Sequence, residues 1–261
     1  MRELYIRSFT GILYSLTIIA CLIIGPLAFS ILIFSLSCFA LFEFQRLINK
    51  INLFPYLILG ILTFGLLAKK IPLFIFSIIL IPTLIYQVLL INWVIKTPNL
   101  KFSIPLSSYV YFVFCSFFLI AIPFAKGNFD LKLMLIVFIL TWLNNSSAYI
   151  IGKNFGKNKL LPKVSPKKSW EGFWAGLISC IVLSPVFFYL IKPNLSFALI
   201  FIFSIIIPIL ATLGNLIQSK FKRTAGVKDS GSLLPGHGGF YDRMDSIIFV
   251  SPWIYFLLSQ L

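Results

Sequence analysis

The chain alternates long apolar blocks with short polar stretches. A helix that crosses a bilayer needs roughly 17 to 25 mostly apolar residues. Blocks of that kind cover residues 9–24, 26–42, 53–68, 71–92, 104–125, 131–151, 172–191, 195–218 and 246–261, and they predict nine spans. Gly25 and Pro26 divide the first two. Pro72, Pro105 and Pro252 stand near span starts, where a missing backbone donor costs least. Pro82, Pro123, Pro185 and Pro208 lie deeper and predict kinks or breaks.

Composition turns this pattern into a class. Of 261 residues, 59% are hydrophobic and 11% charged, with a mean hydropathy of +1.01, outside the range of a soluble domain. The expected fold is all-α, a polytopic integral membrane protein of about nine transmembrane helices. No polar block is long enough to bury a core of its own, so residues 1–261 form one membrane-embedded domain. The first block follows Arg2 and Arg7 without a clear small-residue cleavage site and reads as a retained span. Cys21, Cys38, Cys115 and Cys180 all lie in apolar runs without CxxC spacing, which argues against zinc and disulfides.

Charge gives orientation. The net charge is +15, a balance that in a membrane protein reflects basic cytoplasmic loops and anionic lipid rather than nucleic acid. With nine spans, Arg2, Arg7, Arg46, Lys50, Lys96, Lys101, the six lysines from Lys153 to Lys168, Lys220, Lys222, Arg223, Lys228 and Arg243 share one side. These are 17 of the 22 basic residues; only Lys69, Lys70, Lys126, Lys132 and Lys192 fall on the other. The N-terminus and the loops 152–171 and 219–245 are therefore expected in the cytoplasm.

Polar chemistry concentrates at that side. In the sixth block Asn144, Asn145, Ser146 and Ser147 interrupt an apolar helix, and four consecutive polar residues cannot all face lipid. Lys153, Lys157 and Lys159 read as topology signals, whereas SPKKSWEG, with Lys167, Lys168 and Glu171, suggests a shaped turn. Asn215, Ser219 and Lys222 share one helix face by their spacing. The stretch 219–245 then holds three of the seven carboxylates, Asp229, Asp242 and Asp245, among five glycines that permit close backbone approach to a ligand. Asp242 and Asp245 fall on one face of the helix that follows, a donor pair suited to a hard cation such as Mg²⁺ carrying substrate phosphates. His237, the single histidine, is a candidate phosphate contact or base.

The run from Ser219 through Lys222, Arg223, Lys228, Asp229, Gly231, Leu234, Pro235, His237, Gly238, Gly239, Phe240, Asp242, Arg243 and Met244 to Asp245 resembles the signature of the phosphatidate cytidylyltransferase family. SPKKSWEG and, more weakly, LFEFQRL at 41–47 resemble further family blocks. The resemblance implies a nine-helix homodimer in the cell (inner) membrane with its site facing the cytoplasm. It also implies Mg²⁺-dependent transfer of CMP from CTP to phosphatidate, with one cation or two. Under it, Asp242, Asp229, Lys222, Arg223 and His237 are the expected catalytic residues. Ser219, Lys228, Arg243, Gly238, Gly239, Lys167 and Lys168 are expected to bind substrate, and Asp242, Asp245, Asp229, Asn215 and Asn145 to face metal. Family members usually carry Asp at the last two positions, and an amide lends a cation oxygen without charge. A second reading follows from that departure: a weakened or inactive relative serving as a lipid- or nucleotide-binding subunit.

Overall fold

The computed structural model describes residues 2–96, 104–231 and 238–260, so His237, Leu234 and Pro235 lie outside the described residues. Helices form over every predicted block. They are α1 (Arg2–Ile24), α2 (Pro26–Leu47), α3 (Phe54–Leu67), α4 (Leu73–Lys96), α5 (Ile104–Ser107), α6 (Cys115–Ala121), α7 (Leu131–Phe155), α8 (Trp170–Ile191), α9 (Phe197–Thr224) and α10 (Tyr241–Ser259). The fifth block is composite: α5 passes into a π-helical stretch Ser108–Phe114, then α6, then a 3₁₀ turn Ile122–Phe124 around Pro123. By contrast α4, α8 and α9 run unbroken through Pro82, Pro185 and Pro208.

The helix starts have local causes. Asp130 accepts hydrogen bonds from the Lys132 and Leu133 amides at 2.9 and 3.0 Å, capping α7. Ser169 and Ser196 cap α8 and α9 in the same way. Among the described residues five helices, α2, α4, α7, α8 and α9, are long and apolar enough to cross a bilayer. α1, α3 and the π/α6 segment contribute shorter apolar stretches, and α10 opens with Asp242, Arg243 and Asp245.

Contacts between element ends fit an alternating path. At one side Asn52, after α2, donates to Tyr109 at 2.9 Å, and Lys220 near the end of α9 lies over the Trp93 ring near the end of α4. At the other, Lys132 donates to the Lys192 carbonyl at 2.9 Å, bringing the start of α7 to the end of α8.

α7 and α8 pack through glycine. A side chain on Gly172 would come within 2.7 Å of the Ala148 carbonyl and 3.1 Å of the Gly152 Cα, so only glycine admits this approach. Between the two helices, β1 (Lys159–Leu161) pairs antiparallel with β2 (Ser165–Ser169). Glu171 ties the hairpin down by accepting from the Asn158 amide and side chain at 3.0 and 2.9 Å. The shaped turn expected at SPKKSWEG is thus a strand followed by a capped helix.

An aromatic floor closes the core on the loop side. The Phe44 ring lies tilted at 4.6 Å from Phe112 and edge-on at 5.0 Å from Phe221, Phe112 lies 4.9 Å from Tyr241, and Trp93 lies 5.0 Å from Phe221. All are buried. Their chain neighbours Glu43, Lys222 and Asp242 are carried to the rim of that floor.

Candidate active site

Asp242, in the first turn of α10, is the hub. Its Oδ1 accepts from the Lys222 Nζ at 2.6 Å and from the Gln218 Nε2 at 2.9 Å. Its Oδ2 accepts from the Ser230 amide at 3.1 Å, the Ser230 hydroxyl at 2.8 Å and the Gly239 amide at 3.1 Å. The Lys222 and Asp242 side chains are only 13% and 11% exposed. Burial pushes the Asp242 carboxyl up, but the Lys222 ammonium outweighs it and holds the group below the ordinary carboxylate range.

Beside it, just before the last apolar block, Asp245 is buried and accepts from the Ser246 amide at 2.7 Å. Burial raises its carboxyl to about 6, against the opposing pull of Lys168 and Lys222. Lys168, half-buried on β2, faces the same space. Desolvation lowers it to about 8, with Asp245 raising and Lys222 lowering it further.

The asparagines form a bridge instead of a carboxylate cluster. Asn215 Nδ2 on α9 donates to Asn145 Oδ1 on α7 at 3.1 Å, and Asn145 Nδ2 donates to the Ser246 hydroxyl at 3.1 Å. That hydroxyl lies 3.2 Å from Asp245 Oδ1. Ser219 turns back on its own helix and donates to the Asn215 carbonyl at 2.8 Å.

Asp242, Asp245, Lys222, Lys168, Asn145, Asn215, Ser219 and Gly239 therefore converge. Arg223, Lys228, Asp229, Arg243 and Lys167 are exposed around them, with the Arg223 guanidinium donating to the Val227 carbonyl at 3.3 Å. Gly238 takes a positive φ of 85° and leads into Gly239, so the glycines shape the loop for its carboxylates.

Sequence reasoning missed Glu43. This α2 carboxylate is 2% exposed and accepts from the Phe240 amide at 3.0 Å, the Tyr241 amide at 2.9 Å and the Ser230 hydroxyl at 3.2 Å. Its only signal was a lone acid in the weakly matching LFEFQRL block. Gln218 and Ser230 were missed too, because helix spacing does not show which side chains a distant loop will meet.

The model of the cytidylyltransferase family matches residues 5–261, almost the whole chain. The chain belongs to this family. It is 33% identical to the phosphatidate cytidylyltransferase of Bacillus subtilis (strain 168) over 267 residues, covering 97% of each. Over shorter stretches it is 44% identical to that of Staphylococcus haemolyticus, across 53% of each chain, and 42% identical to that of Staphylococcus aureus (strain COL), across 50% of each.

Within this cytidylyltransferase the donor set can be tested against a divalent cation. Among the described residues no three His, Cys, Asp or Glu gather into a cage. Asp242 and Asp245 do stand together on one helix face, and magnesium is commonly held by one or two carboxylates plus substrate phosphates. The residues fit a cation that arrives with a triphosphate better than one resident in an all-protein site.

Proposed function

We propose that this chain transfers CMP from CTP to phosphatidate, yielding CDP-diacylglycerol and pyrophosphate. The observation that carries the reading is the convergence of Lys168, Lys222, Asp242 and Asp245 at one end of an apolar helix bundle. A water-soluble polyphosphate and a lipid phosphate can meet in such a place. A phosphatidate oxygen attacks the α-phosphorus of CTP, the bond from that phosphorus to the bridging oxygen breaks, and pyrophosphate leaves. Negative charge accumulates through the transfer, so fixed cations lower the barrier.

Lys168 and Lys222 flank the reacting phosphates, and Arg223, Lys228 and Arg243 form the exposed basic rim that draws anions in. Gly238 and Gly239 let the phosphates approach backbone. Asp242 and Asp245 would hold Mg²⁺, with Asn145 and Asn215 able to add amide oxygens and no charge. The bound cation, alone or with a second, would supply charge neutralisation to the triphosphate. The second reading, a non-catalytic binding subunit, gains no support from the relatives, each of which is named for the enzyme.

The several apolar helices make this a multi-pass membrane protein, and the bacterial origin of the relatives supports the cell membrane as its location. The charge asymmetry of the loops supports a cytoplasmic site and N-terminus. A homodimer with about nine spans per chain is part of the same proposal. Purified protein given labelled CTP, phosphatidate and Mg²⁺ should form CDP-diacylglycerol, and Asp242→Ala should not. Folded parent protein that forms no product would overturn the reading.

A further inference from the structure

We infer that Glu43 is a positioning residue: it latches Ser230 and the Phe240–Tyr241 turn to α2 and so holds Asp242 and its hydrogen-bond partners in place. Three observations point there. Glu43 is a buried carboxylate without an ion-pair partner among the described residues, an arrangement that persists only where strong donors replace water. Its donors all belong to the loop or to the first turn of α10: Ser230, Phe240 and Tyr241. The Phe240 and Tyr241 amides open α10, where a negative charge is favoured by the helix dipole.

The latch also reaches Asp242 directly. The Ser230 hydroxyl lies 2.8 Å from Asp242 Oδ2 and 3.2 Å from Glu43 Oε2. Its one proton lies between the two carboxylates, nearer Asp242, so the Ser230 hydroxyl links Glu43 to Asp242 through a shared hydrogen bond. Space around the carboxylate is closed: a side chain on Gly231 would fall 2.7 Å from Glu43 Oε1, and one on Gly239 would run into Glu43 and Ser230. Glu43 itself is buried and shares Ser230 with Asp242, so its effect passes through Asp242.

Hydrogen–deuterium exchange of the peptide covering 238–246, in detergent, reads the latch without any turnover. Losing a hydrogen bond to a charged acceptor should speed exchange at least about tenfold. E43A frees two amides, Phe240 and Tyr241. E43Q has one oxygen and an NH₂ group, so it should free only one; E43D, shorter but charged, should recover part of the protection. In the CTP assay, which rests on the proposed reaction, E43A should lower kcat about tenfold and leave KM for phosphatidate within twofold. S230A covers the case in which E43A fails to fold: it keeps the carboxylate and should lower kcat while the two amides stay protected. Exchange unchanged within twofold in E43A, or accelerated equally in all helices, overturns the latch. A parent protein that makes no CDP-diacylglycerol overturns the reaction instead, and exchange alone then decides the role of Glu43.

Discussion

Asn215 on α9 donates its side-chain amide to the side-chain oxygen of Asn145 on α7, at 3.1 Å. This contact occupies positions where the family resemblance leads one to expect two carboxylates. Here one amide donates to the other, so α7 and α9 are joined at the site by a neutral hydrogen bond instead of through a shared cation.

Replacing both asparagines should reverse that independence. N145D/N215D removes the donor from the bridge and places two added carboxylates beside Asp245. An acceptor left unpaired costs about 1–3 kcal/mol, and charge repulsion adds to it. Without divalent cation the double variant should melt below the parent; with Mg²⁺ it should gain more stability than the parent does. Thermal unfolding in detergent with and without the cation decides it, and equal cation shifts would refute the argument.

The ion pair between Lys222 and Asp242 is nearly buried. Removing one partner strands the other charge, which costs about 3–5 kcal/mol when burial is complete and about 2–3 kcal/mol with the residual exposure here. K222M and D242N should each destabilise by that amount, and the double variant by clearly less than the sum. Additive losses in a thermal double-mutant cycle would show that the pair contributes little.

Lys168 predicts an alkaline limit. Its ammonium titrates near 8, below the ordinary 10.5, so kcat/KM for CTP should fall as pH rises through about 8, when the charge that meets phosphate is lost. Stability should move the other way: from about 8 to 10.5 the unfolded chain binds more protons than the folded one, so rising pH favours folding. The drop is therefore not denaturation. K168R should extend activity to higher pH and K168A should remove the limb; a pH profile of all three proteins tests this.

Gly214 sits where α9 meets α10. A methyl group there would lie 2.7 Å from the Phe249 Cβ and 2.8 Å from the Asp245 carbonyl. Overpacking of this kind costs about 1–3 kcal/mol, and separating the helices pulls Lys222 on α9 from Asp242 on α10. G214A should lower both melting temperature and turnover, whereas G226A, at a position with open space around it but a positive φ of 73°, should cost about 1–2 kcal/mol of stability through backbone strain and leave turnover unchanged. Thermal melts and the CTP assay compare them.

Much of this was legible because lipid imposes simple rules. Apolar block length located every helix, and Asp242, Asp245, Lys222 and Asn215 could be placed on shared faces from spacing alone. The π-helical stretch at Ser108–Phe114 was not legible, since its apolar sequence reads like any helix. The β1/β2 hairpin was too short to show an alternating pattern. Glu43 stayed hidden for another reason: its partners lie nearly the whole chain away, and periodicity reports only neighbours.

That distance has a consequence for how the protein is made. The Glu43 carboxylate is synthesised early, and the Phe240 amide that receives it comes 197 residues later. Through the insertion of six further helical blocks the charge has water or lipid headgroups as its company. Only when α10 emerges does it find its place. The site closes only with the last helix: a nascent chain stalled before α10 carries the basic loops and the Asn145–Asn215 bridge but neither Asp242 nor Asp245.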